Sequence, residues 1–472
     1  MINVLLFAMP DSILGFEMAT IVPNLALVSL AGNVDPVVCD VKVVDLILFR
    51  RNTKQVVLDL LRKQSPKLVG LSCMSFQYNS AVEIAKLVKS YDKNILVAIG
   101  GYHPTLMSDE ISKSPESQYI DFIIRGEGEA TFGELVNAIN ADTGYDKIMG
   151  LSYKVNNSFN HNPPRNLLSM SKIQLPKRDA RLLNKGFHSF GLPLDVIETS
   201  RGCTFGCKFC SINHMYGRSF RKYETDRIIN DIKSAVALDA KAIAMADDNI
   251  TLDLKKLEEI CDAIIDTKLN WVQYSIQASV KGIAHSERLV QKMADTGIKL
   301  VFLGIESINK KNLDFLGKNT TCEETVKAVK YLKDNGIICA GGFIIGNPDD
   351  DEESLWDVFK TARELKVDIP IFFILTPHAK TEIREELLAE GLVTNPDDFS
   401  TYNGFVANVR TKHLTPKQID DIAYEMYGKY HSSLDYVKFT QVRKSYPGYF
   451  WRLAAKTIAL SLPRRLGLLR KV

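Results

Sequence analysis

The sequence predicts an α/β protein in which two successive series of strands and helices are followed by a helical extension. In residues 1–143, short apolar runs alternate with helical patterns in units typical of a doubly wound, Rossmann-like domain. In residues 192–395, six further apolar runs separated by amphipathic helical patterns predict a (β/α)6 partial TIM barrel. Residues 144–191 interrupt this rhythm as a linker, and residues 396–472 are predicted to form a helical C-terminal extension.

The elements of the first domain follow from apolar spacing and from the turn residues between the runs. The predicted strands cover residues 3–7, 41–46, 68–73, 95–99 and 122–124. The predicted helices cover residues 25–30, 56–63 and 80–90. The linker contains Asn156-Asn157 and Pro163-Pro164, which mark turns and leave room for a small hairpin.

The second domain is predicted from six strands with helices between them. These strands lie at or near residues 196–198, 242–245, 271–276, 300–304, 338–345 and 369–375. In the extension, residues 414–433 predict a helix with Thr415 as its cap and Pro416 at its first position.

Length and composition limit the possible classes of protein. The 472 residues suffice for two or three domains, and a net charge of +3 favours no particular partner. Five of the eight cysteines stand singly in apolar surroundings and are expected to be reduced and mostly buried: Cys39, Cys73, Cys261, Cys322 and Cys339. Because the first residues lack a signal-peptide pattern and no apolar run reaches the roughly 18–20 residues of a membrane span, we expect a cytoplasmic protein.

The segment Arg201-Gly-Cys203-Thr-Phe-Gly-Cys207-Lys-Phe-Cys210 directly follows the first strand of the second series. Thiolates are soft ligands, and three of them on one short loop suit a [4Fe-4S] cluster whose fourth iron stays open. We therefore predict that Cys203, Cys207 and Cys210 bind the cluster. The alternative is a zinc site with His214 as the fourth ligand.

With this motif in that position, the second series resembles the radical S-adenosylmethionine (SAM) superfamily. Residues 1–395 together resemble the subgroup with an N-terminal cobalamin-binding (B12-binding) domain. The resemblance implies reductive cleavage of SAM at the open iron to a 5′-deoxyadenosyl radical. It also implies a low-potential electron donor, such as ferredoxin or flavodoxin.

The resemblance places several side chains near SAM. Phe209, just before the last cysteine, resembles the aromatic residue near the adenine. Asp247 and Asp248, at the end of the second barrel strand, resemble the segment that meets the SAM amino group, where a carboxylate can hydrogen-bond an ammonium. The alternative for these aspartates is an N-cap of the helix that opens near Leu254.

Two later strand ends also resemble family segments. Glu306, in Leu303-Gly-Ile-Glu-Ser307, resembles a glutamate near SAM, and its alternative is a solvated residue at a strand end. Gly342 and Gly346 resemble the glycines that let the backbone approach the adenine, and a simple strand-to-turn transition is the alternative. Thr376-Pro377 begins a turn that is predicted to border the active-site mouth.

Three loops at the predicted strand ends of the first domain resemble loops that face the corrin ring of cobalamin. The residues expected there are Ser72, Ser75, Gly100, Gly101 and Gly126. The Asp-x-His-x-x-Gly motif that supplies an axial histidine in many such domains is absent, because residues 1–60 contain no histidine. His103 is a possible substitute or a turn cap, and a domain that has lost cobalamin is a further alternative.

The last 26 residues, 447–472, contain six Lys or Arg and no acidic residue among aromatic and leucine side chains. A basic amphipathic helix of this kind suits the anionic inner face of a membrane. The alternative is a helix that packs on the barrel with a solvated basic edge. No second basic stripe supports binding to nucleic acid.

The sequence thus predicts a cobalamin-dependent radical SAM methylase acting on an unactivated carbon of a small-molecule or lipid substrate. The overall arrangement, including residues 246–253, is loosely similar to hopanoid C-3 methylases and related enzymes. One alternative keeps the radical step without methyl transfer and gives ring formation, C–C coupling or rearrangement. Another is a sensor that binds SAM or cobalamin without catalysis, and no residue is assigned a catalytic role.

Overall fold

The structure is a computed structural model that describes residues 1–13, 17 and 19–452. Its first domain is a seven-stranded sheet with a hydrophobic core on each face. The first strands in chain order are β1 (Ile2–Ala8), β2 (Thr20–Ile21), β3 (Cys39–Asp45), β4 (Leu68–Ser72), β5 (Leu96–Gly100), β6 (Phe122–Ile124), β7 (Leu151–Val155) and β8 (Ser158–His161). The helices are α1 (Leu25–Gly32), α2 (Thr53–Gln64), α3 (Tyr78–Tyr91), α4 (Tyr102–Leu106), α5 (Ser108–Lys113) and α6 (Gly128–Ala141).

The parallel strands of this sheet lie in the order β3-β1-β4-β5-β6, which is doubly wound, as predicted. Residues 4–8 of β1 are buried throughout, because helices cover both faces of the sheet. All five strands are parallel, but β3 lies on one side of β1 and the later strands β4, β5 and β6 lie on the other, so the strand order reverses between β1 and β4. Their carboxyl ends therefore border a crevice of the kind in which such sheets bind ligands.

Part of the predicted linker belongs to this sheet. Strands β7 and β8 form the small hairpin, and β7 pairs antiparallel with β6. Further along, Arg178 and Arg181 of the same segment are buried against the second domain.

The second domain is built on six parallel strands. The remaining strands of the chain are β9 (His188–Ser189), β10 (Leu192–Ile197), β11 (Ser200–Arg201), β12 (Arg221–Lys222), β13 (Ala242–Met245), β14 (Gln273–Ser279), β15 (Ile298–Glu306), β16 (Ile338–Ile345) and β17 (Ile369–Ile374). The helices around them are α7 (Ile212–Tyr216), α8 (Thr225–Val236), α9 (Leu254–Asp266), α10 (Val280–Ala284), α11 (Glu287–Asp295), α12 (Lys310–Leu316), α13 (Cys322–Asp334), α14 (Glu352–Glu364) and α15 (Glu382–Ala389).

Strands β10, β13, β14, β15, β16 and β17 are neighbours in chain order, which confirms the predicted partial barrel. The sheet is extended beside β10 by the antiparallel strands β9 and β2. The bounds of β13 and β16 are those predicted from the sequence. The carboxyl ends of the six strands meet at one rim, where the cysteine segment also begins.

The C-terminal extension contains α16 (Pro416–His431), α17 (Leu434–Phe439) and α18 (Gln441–Ser445), which pack against the barrel core. Thr415 caps α16 and Pro416 takes its first position, as predicted, and Gln418 completes a capping box with Thr415. Residues 447–452 are helical, and Tyr449 and Phe450 pack on the barrel core. The remainder of the predicted basic tail, 453–472, lies outside the described residues.

Four of the five single cysteines are buried, whereas Cys322 is exposed at the first position of α13, so the expected burial is wrong for that residue. In the described part of the chain, no helix has the length and apolarity needed to span a membrane.

Candidate active site

The three motif cysteines lie on one loop that is closed at its base by a two-stranded ribbon. Strands β11 and β12 pair antiparallel, with Arg201 opposite Arg221, and enclose residues 202–220. Gly202 adopts φ +88°, and a Cβ atom there would lie 2.4 Å from the carbonyl oxygen of Ser219. Only glycine fits this turn, which fixes where the loop leaves the strand. We call residues 202–220 the cluster loop.

The thiols of the cluster loop suit an iron–sulfur cluster. Burial raises the pKa of Cys203, Cys207 and Cys210, the last to about 12, and the charge of Lys318 opposes this rise at the first two. Iron binds thiolates, so a nearby cation helps to hold the ligands in the form that binds. Among the described residues, no three His, Cys, Asp or Glu side chains converge on one point as ligands of a single metal ion. In a cluster, by contrast, each iron takes one thiolate.

The two adjacent aspartates after β13 have different surroundings. Asp247 is fully buried and accepts a hydrogen bond of 2.7 Å from the Thr199 hydroxyl, and burial raises its pKa to about 6. Asp248 is partly exposed and accepts a hydrogen bond of 2.8 Å from the amide of Gly202. The expectation that Asp247 contacts SAM conflicts with its burial, whereas Asp248 keeps access to the site. The alternative role as an N-cap is wrong for both, since Asp253 caps α9.

Glu306 is buried and paired, so its alternative as a solvated residue is wrong. A bulge between β15 and β16 places Glu306 at φ +62°, and its carboxylate lies 3.0 Å from the ammonium of Lys318. Both side chains are only 11% exposed. Burial acts to lower the pKa of Lys318, but Glu306 and the thiolates of Cys207 and Cys203 outweigh it, so the pKa is raised. This pair brings one positive and one negative group together beside the cluster loop.

The other residues predicted near SAM, Phe209, Gly342 and Gly346, make packing and turn contacts within the barrel domain. Phe209 is partly buried against a small apolar cluster of the barrel. A Cβ atom at Gly342 would lie 2.9 Å from the ring of Phe302, so this glycine makes room for an aromatic wall that includes Phe373. Gly346 turns the chain at φ +82°, which agrees with the strand-to-turn alternative.

A cavity of about 280 Å³ opens at the carboxyl ends of the first sheet, between that sheet and the cluster loop. Four of the residues predicted to face the corrin line it, namely Ser72, Gly100, Gly101 and Gly126. No atom lies within 4 Å of a Cβ built at Gly126, so the wall is open there. A glycine-lined slot of this kind fits one side of a large planar macrocycle. Ser75, which was also predicted to face the corrin, is not among the residues that line the cavity. Its hydroxyl lies 3.3 Å from the Nδ1 atom of His103.

His103 is not available as a cobalt ligand, which corrects the suggestion that it substitutes for the missing axial histidine. The ring is buried between Tyr78 and Phe399, with ring centres 4.6 and 5.2 Å away. Burial also lowers its pKa to about 4. Among the described residues that line the cavity, none is a histidine.

Several residues of this site were not predicted from the sequence. Tyr102 of the first domain and Tyr216 of the cluster loop line the cavity, and so do Glu198 and Arg201, which follow the first barrel strand, β10. Burial raises the pKa of Tyr102, and the charges of Asp248 and of a cluster cysteine add to the shift. The sequence shows that these residues lie next to the motifs along the chain. It does not show that they come together around one cavity between the two domains.

Glu198 gives the site a proton that titrates near neutrality. Burial raises its pKa from the usual 4.5 to about 7, although Arg201 acts in the opposite direction. Between about pH 4.5 and 7 the folded chain therefore holds a proton that the unfolded chain has lost. The free energy of unfolding should accordingly fall as the pH rises through that window.

The variant Glu198→Gln cannot titrate, so its free energy of unfolding should fall less steeply between pH 4.5 and 7. Urea unfolding of both proteins over a pH series measures this. Asp45 and Asp247, whose pKa values burial raises to about 6, titrate in both proteins, so the difference reports Glu198 together with its charge interaction with Asp247. Parallel curves for the two proteins would show that the carboxyl titrates alike in the folded and unfolded states.

The class of protein follows from this arrangement: a doubly wound domain and a partial barrel share one cavity beside a three-cysteine loop. The family model of the radical SAM superfamily matches residues 197–362, and the family model of the B12 binding domain matches residues 12–136. An uncharacterized methyltransferase of Pyrococcus horikoshii is 32% identical over 390 residues, which cover 82% of this chain and 83% of the relative. The chain therefore belongs to the radical SAM superfamily, in the group that carries a B12-binding domain.

Two further relatives differ in the reaction that their names state. The anaerobic magnesium-protoporphyrin IX monomethyl ester cyclase of Rubrivivax gelatinosus is 27% identical, over 76% of this chain and 65% of the relative. The hopanoid C-3 methylase of Methylococcus capsulatus is 26% identical, over 69% of this chain and 62% of the relative. This chain thus spans somewhat less than two thirds of each of these two relatives, and the predicted similarity to hopanoid methylases is confirmed.

Among solved structures, the radical SAM methyltransferase TsrM of Kitasatospora setae, with tryptophan and a SAM analogue bound, shares the fold. The TM-score is 0.71 at 17% identity, over 90% of this chain and 89% of TsrM. The protein is a radical SAM enzyme whose cofactors are a [4Fe-4S] cluster, SAM and cobalamin.

Proposed function

We propose that this enzyme methylates an unactivated carbon of a small-molecule or lipid substrate. When bound, the cluster and SAM supply a 5′-deoxyadenosyl radical and cobalamin supplies a methyl group. The observation that carries the proposal is the cavity shared by the two domains, in which Gly100 and Gly126 face Glu198, Tyr216 and Ala246. A methyl donor seated there lies beside the cluster loop, where a substrate radical would form.

The comparisons support methyl transfer over the alternatives. The relative with the highest identity quoted above is named as a methyltransferase, and so is the hopanoid enzyme. The cyclase relative keeps one rival open, namely radical chemistry that closes a ring. A site with buried, charge-matched partners around the cluster loop does not favour a sensor without catalysis, because such sites are preorganised for chemistry.

Anaerobic reconstitution with iron, sulfide and cobalamin, followed by reduction in the presence of SAM, tests the proposal. We expect a corrinoid absorption spectrum together with the cluster spectrum. Both 5′-deoxyadenosine and S-adenosylhomocysteine should form, and formation of S-adenosylhomocysteine should require cobalamin. Formation of deoxyadenosine without S-adenosylhomocysteine would favour the ring-forming or coupling alternative. The absence of both products would favour the sensor.

Glu306 and Lys318 are proposed to bind the two charged groups of the methionine part of SAM. The ammonium of Lys318 suits the carboxylate of SAM, and the carboxylate of Glu306 suits the ammonium of SAM. Charge-assisted hydrogen bonds of this kind are strong in a site that is largely shielded from water. Asp248 is a proposed second partner of the ammonium. Phe209, Gly342 and Gly346 remain proposed contacts of the adenine.

The variant Lys318→Met should raise the KM for SAM by about tenfold or more, since a hydrogen bond to a charged group contributes roughly 1.5–3 kcal/mol. Deoxyadenosine formation at varied SAM concentration measures this. Lys310→Met is the matched control, because Lys310 is exposed and pairs with Asp314 at the surface. An unchanged KM in Lys318→Met, with a full complement of iron, would rule out this role.

An acidic low-potential donor such as ferredoxin or flavodoxin is proposed to dock on the outer side of the cluster loop. Thr204, Phe205 and Gly206, between the first two cysteines, are exposed, and the exposed Arg218 lies against Gly206. Because Phe205 is a large apolar side chain at the surface, it suits the centre of such a contact. Slower reduction of Phe205→Ser by flavodoxin, with unchanged reduction by dithionite, would support this surface.

A lipid substrate and contact with a membrane through residues 447–472 are proposed on the basis of the six basic residues there. Trp451, near the end of the part of this segment that the structure describes, is exposed, whereas Tyr449 and Phe450 pack against the barrel core. Truncation after residue 452 therefore keeps the packed part. We expect the full chain, but not the truncated one, to float with phosphatidylserine vesicles at low salt, and equal flotation would exclude the tail.

A further inference from the structure

Both strands at the base of the cluster loop are held by one carboxylate of the first domain. Arg201 of β11 and Arg221 of β12 stand opposite each other, and both bind the Oε1 atom of Glu127, at 3.0 and 2.8 Å. Arg221 also reaches the Oε2 atom at 3.1 Å. Glu127 therefore binds both strands of the ribbon that carries the cluster loop, and we call this arrangement the clamp.

The clamp has a second carboxylate on the same turn of chain. Glu129 lies 2.6 Å from Arg201 and accepts a hydrogen bond of 2.9 Å from Ser29 of α1. Burial acts to raise the pKa of Glu129, but Arg201 and its hydrogen bonds outweigh burial, so the pKa is lowered. The acid is thus ionised at neutral pH, and Arg201 links α1 and α6 to the cluster loop.

The connector between the domains passes through the same point. The amide of Leu168 donates to the Oε2 atom of Glu127 at 3.0 Å, and Arg221 donates to the Leu168 carbonyl at 2.7 Å. The side chain of Glu127 is only 4% exposed and that of Arg201 only 8%. Charge-assisted bonds in such a dry setting hold their geometry firmly.

Glu127 is also part of the wall of the cavity between the two domains. It lies between Gly126 and Gly128, which line that cavity together with Glu129 and Arg201. Cys203 follows Arg201 by two residues. One short path of covalent and ionic bonds therefore joins the corrin side of the first domain to a cluster ligand.

We propose that Glu127 is a positioning residue that sets the separation between the cobalamin and the [4Fe-4S] cluster. This inference rests on the proposed binding of cobalamin in the shared cavity. Radical methylation needs the methyl donor and the radical source at a fixed spacing, and a misplacement of about 1 Å can cost roughly 10²-fold in rate. A clamp that bridges both strands fixes the loop in rotation as well as in distance.

The separation can be measured directly in the full-length holoenzyme. The reduced cluster and cob(II)alamin each carry an unpaired spin, so pulsed electron paramagnetic resonance gives the distribution of distances between them. We expect a single narrow distribution for the wild type. Glu127→Gln keeps the shape of the side chain but removes the charge and turns an amide donor toward the arginines, so we expect a shifted or broadened distribution.

Glu134→Gln is the matched control. Glu134 lies on α6, the helix that directly follows Glu127, and the substitution removes one ion pair, with Arg165, on the outer surface of the domain. Its distribution should equal that of the wild type. Glu127→Asp, which restores the charge on a shorter side chain, should recover part of the narrow distribution.

Identical distributions in Glu127→Gln and the wild type would overturn the inference, whatever the products are. Formation of S-adenosylhomocysteine is measured on the same samples, so failure of methyl transfer with an intact shift in distance counts against the proposed function alone. A wild type that binds no corrinoid defeats both. If Glu127→Gln does not fold, Arg221→Gln, which leaves Arg201 paired with both glutamates, serves for the same comparison.

Discussion

Cys207→Ala should contain no [4Fe-4S] cluster and should form 5′-deoxyadenosine only at the background level. As the proposed ligands, Cys203, Cys207 and Cys210 would supply three thiolates from one loop, and that loop, residues 202–220, holds no fourth cysteine to replace a missing one. Without the cluster, SAM has neither an iron to bind nor an electron to receive. Iron and sulfide content, the visible spectrum and the spin signal after reduction measure the loss.

The control for this loss is Cys322→Ala. Cys322 is exposed at the start of α13 and serves no site described above, so its removal should leave the iron content and deoxyadenosine formation unchanged. The same result is expected for Cys203→Ala and Cys210→Ala as for Cys207→Ala. A Cys207→Ala protein with four irons and normal deoxyadenosine formation would refute the assignment of this ligand.

The fold was largely predictable because its signals are local. A parallel strand covered on both faces must be apolar throughout, and the run at 338–345 is buried at every position of β16. The cysteine motif is equally local, since its three ligands lie within eight residues. For the same reason the Thr415 cap of α16 could be predicted from two consecutive residues, Thr415 and Pro416.

The parts that could not be predicted are contacts between distant residues. Arg201 binds Glu127 and Glu129, 74 and 72 residues away, and one sequence gives no sign of such pairs. Gly126 was predicted to contact the corrin, whereas Glu127 and Glu129, on either side of Gly128, make the ionic contacts. Similarly, nothing in the sequence distinguishes Asp247 from its neighbour Asp248, yet the fold buries Asp247 and leaves Asp248 partly exposed.

The linker shows the same limit most clearly. Its polar turns and lack of periodicity predict a passive connection, yet Arg178 within it is 2% exposed. Arg178 lies 3.0 Å from Asp195, pairs with Asp231 of α8 and donates to the carbonyl of Val196 at 2.8 Å. It thus attaches the linker to the first barrel strand, β10, just ahead of the cluster loop.

Arg178→Met should lower the free energy of unfolding by about 3–5 kcal/mol, because removing one partner of a buried ion pair leaves the other charge uncompensated. Asp195 keeps Arg181 at 3.0 Å, so Asp231 bears most of the loss. Burial already acts to raise the pKa of Asp231, and Arg178 opposes that rise. Without the arginine, the carboxyl should take up a proton on folding, and destabilisation should be smaller at pH 5 than at pH 8.

Urea unfolding at the two pH values measures both effects. Lys172→Met, an exposed change in the same segment, should stay within about 0.5 kcal/mol of the wild type. Adding Asp231→Asn to Arg178→Met removes the stranded charge and should restore part of the lost stability. If the single variant Arg178→Met were as stable as Lys172→Met, the linker would not depend on this buried pair for its attachment to the barrel.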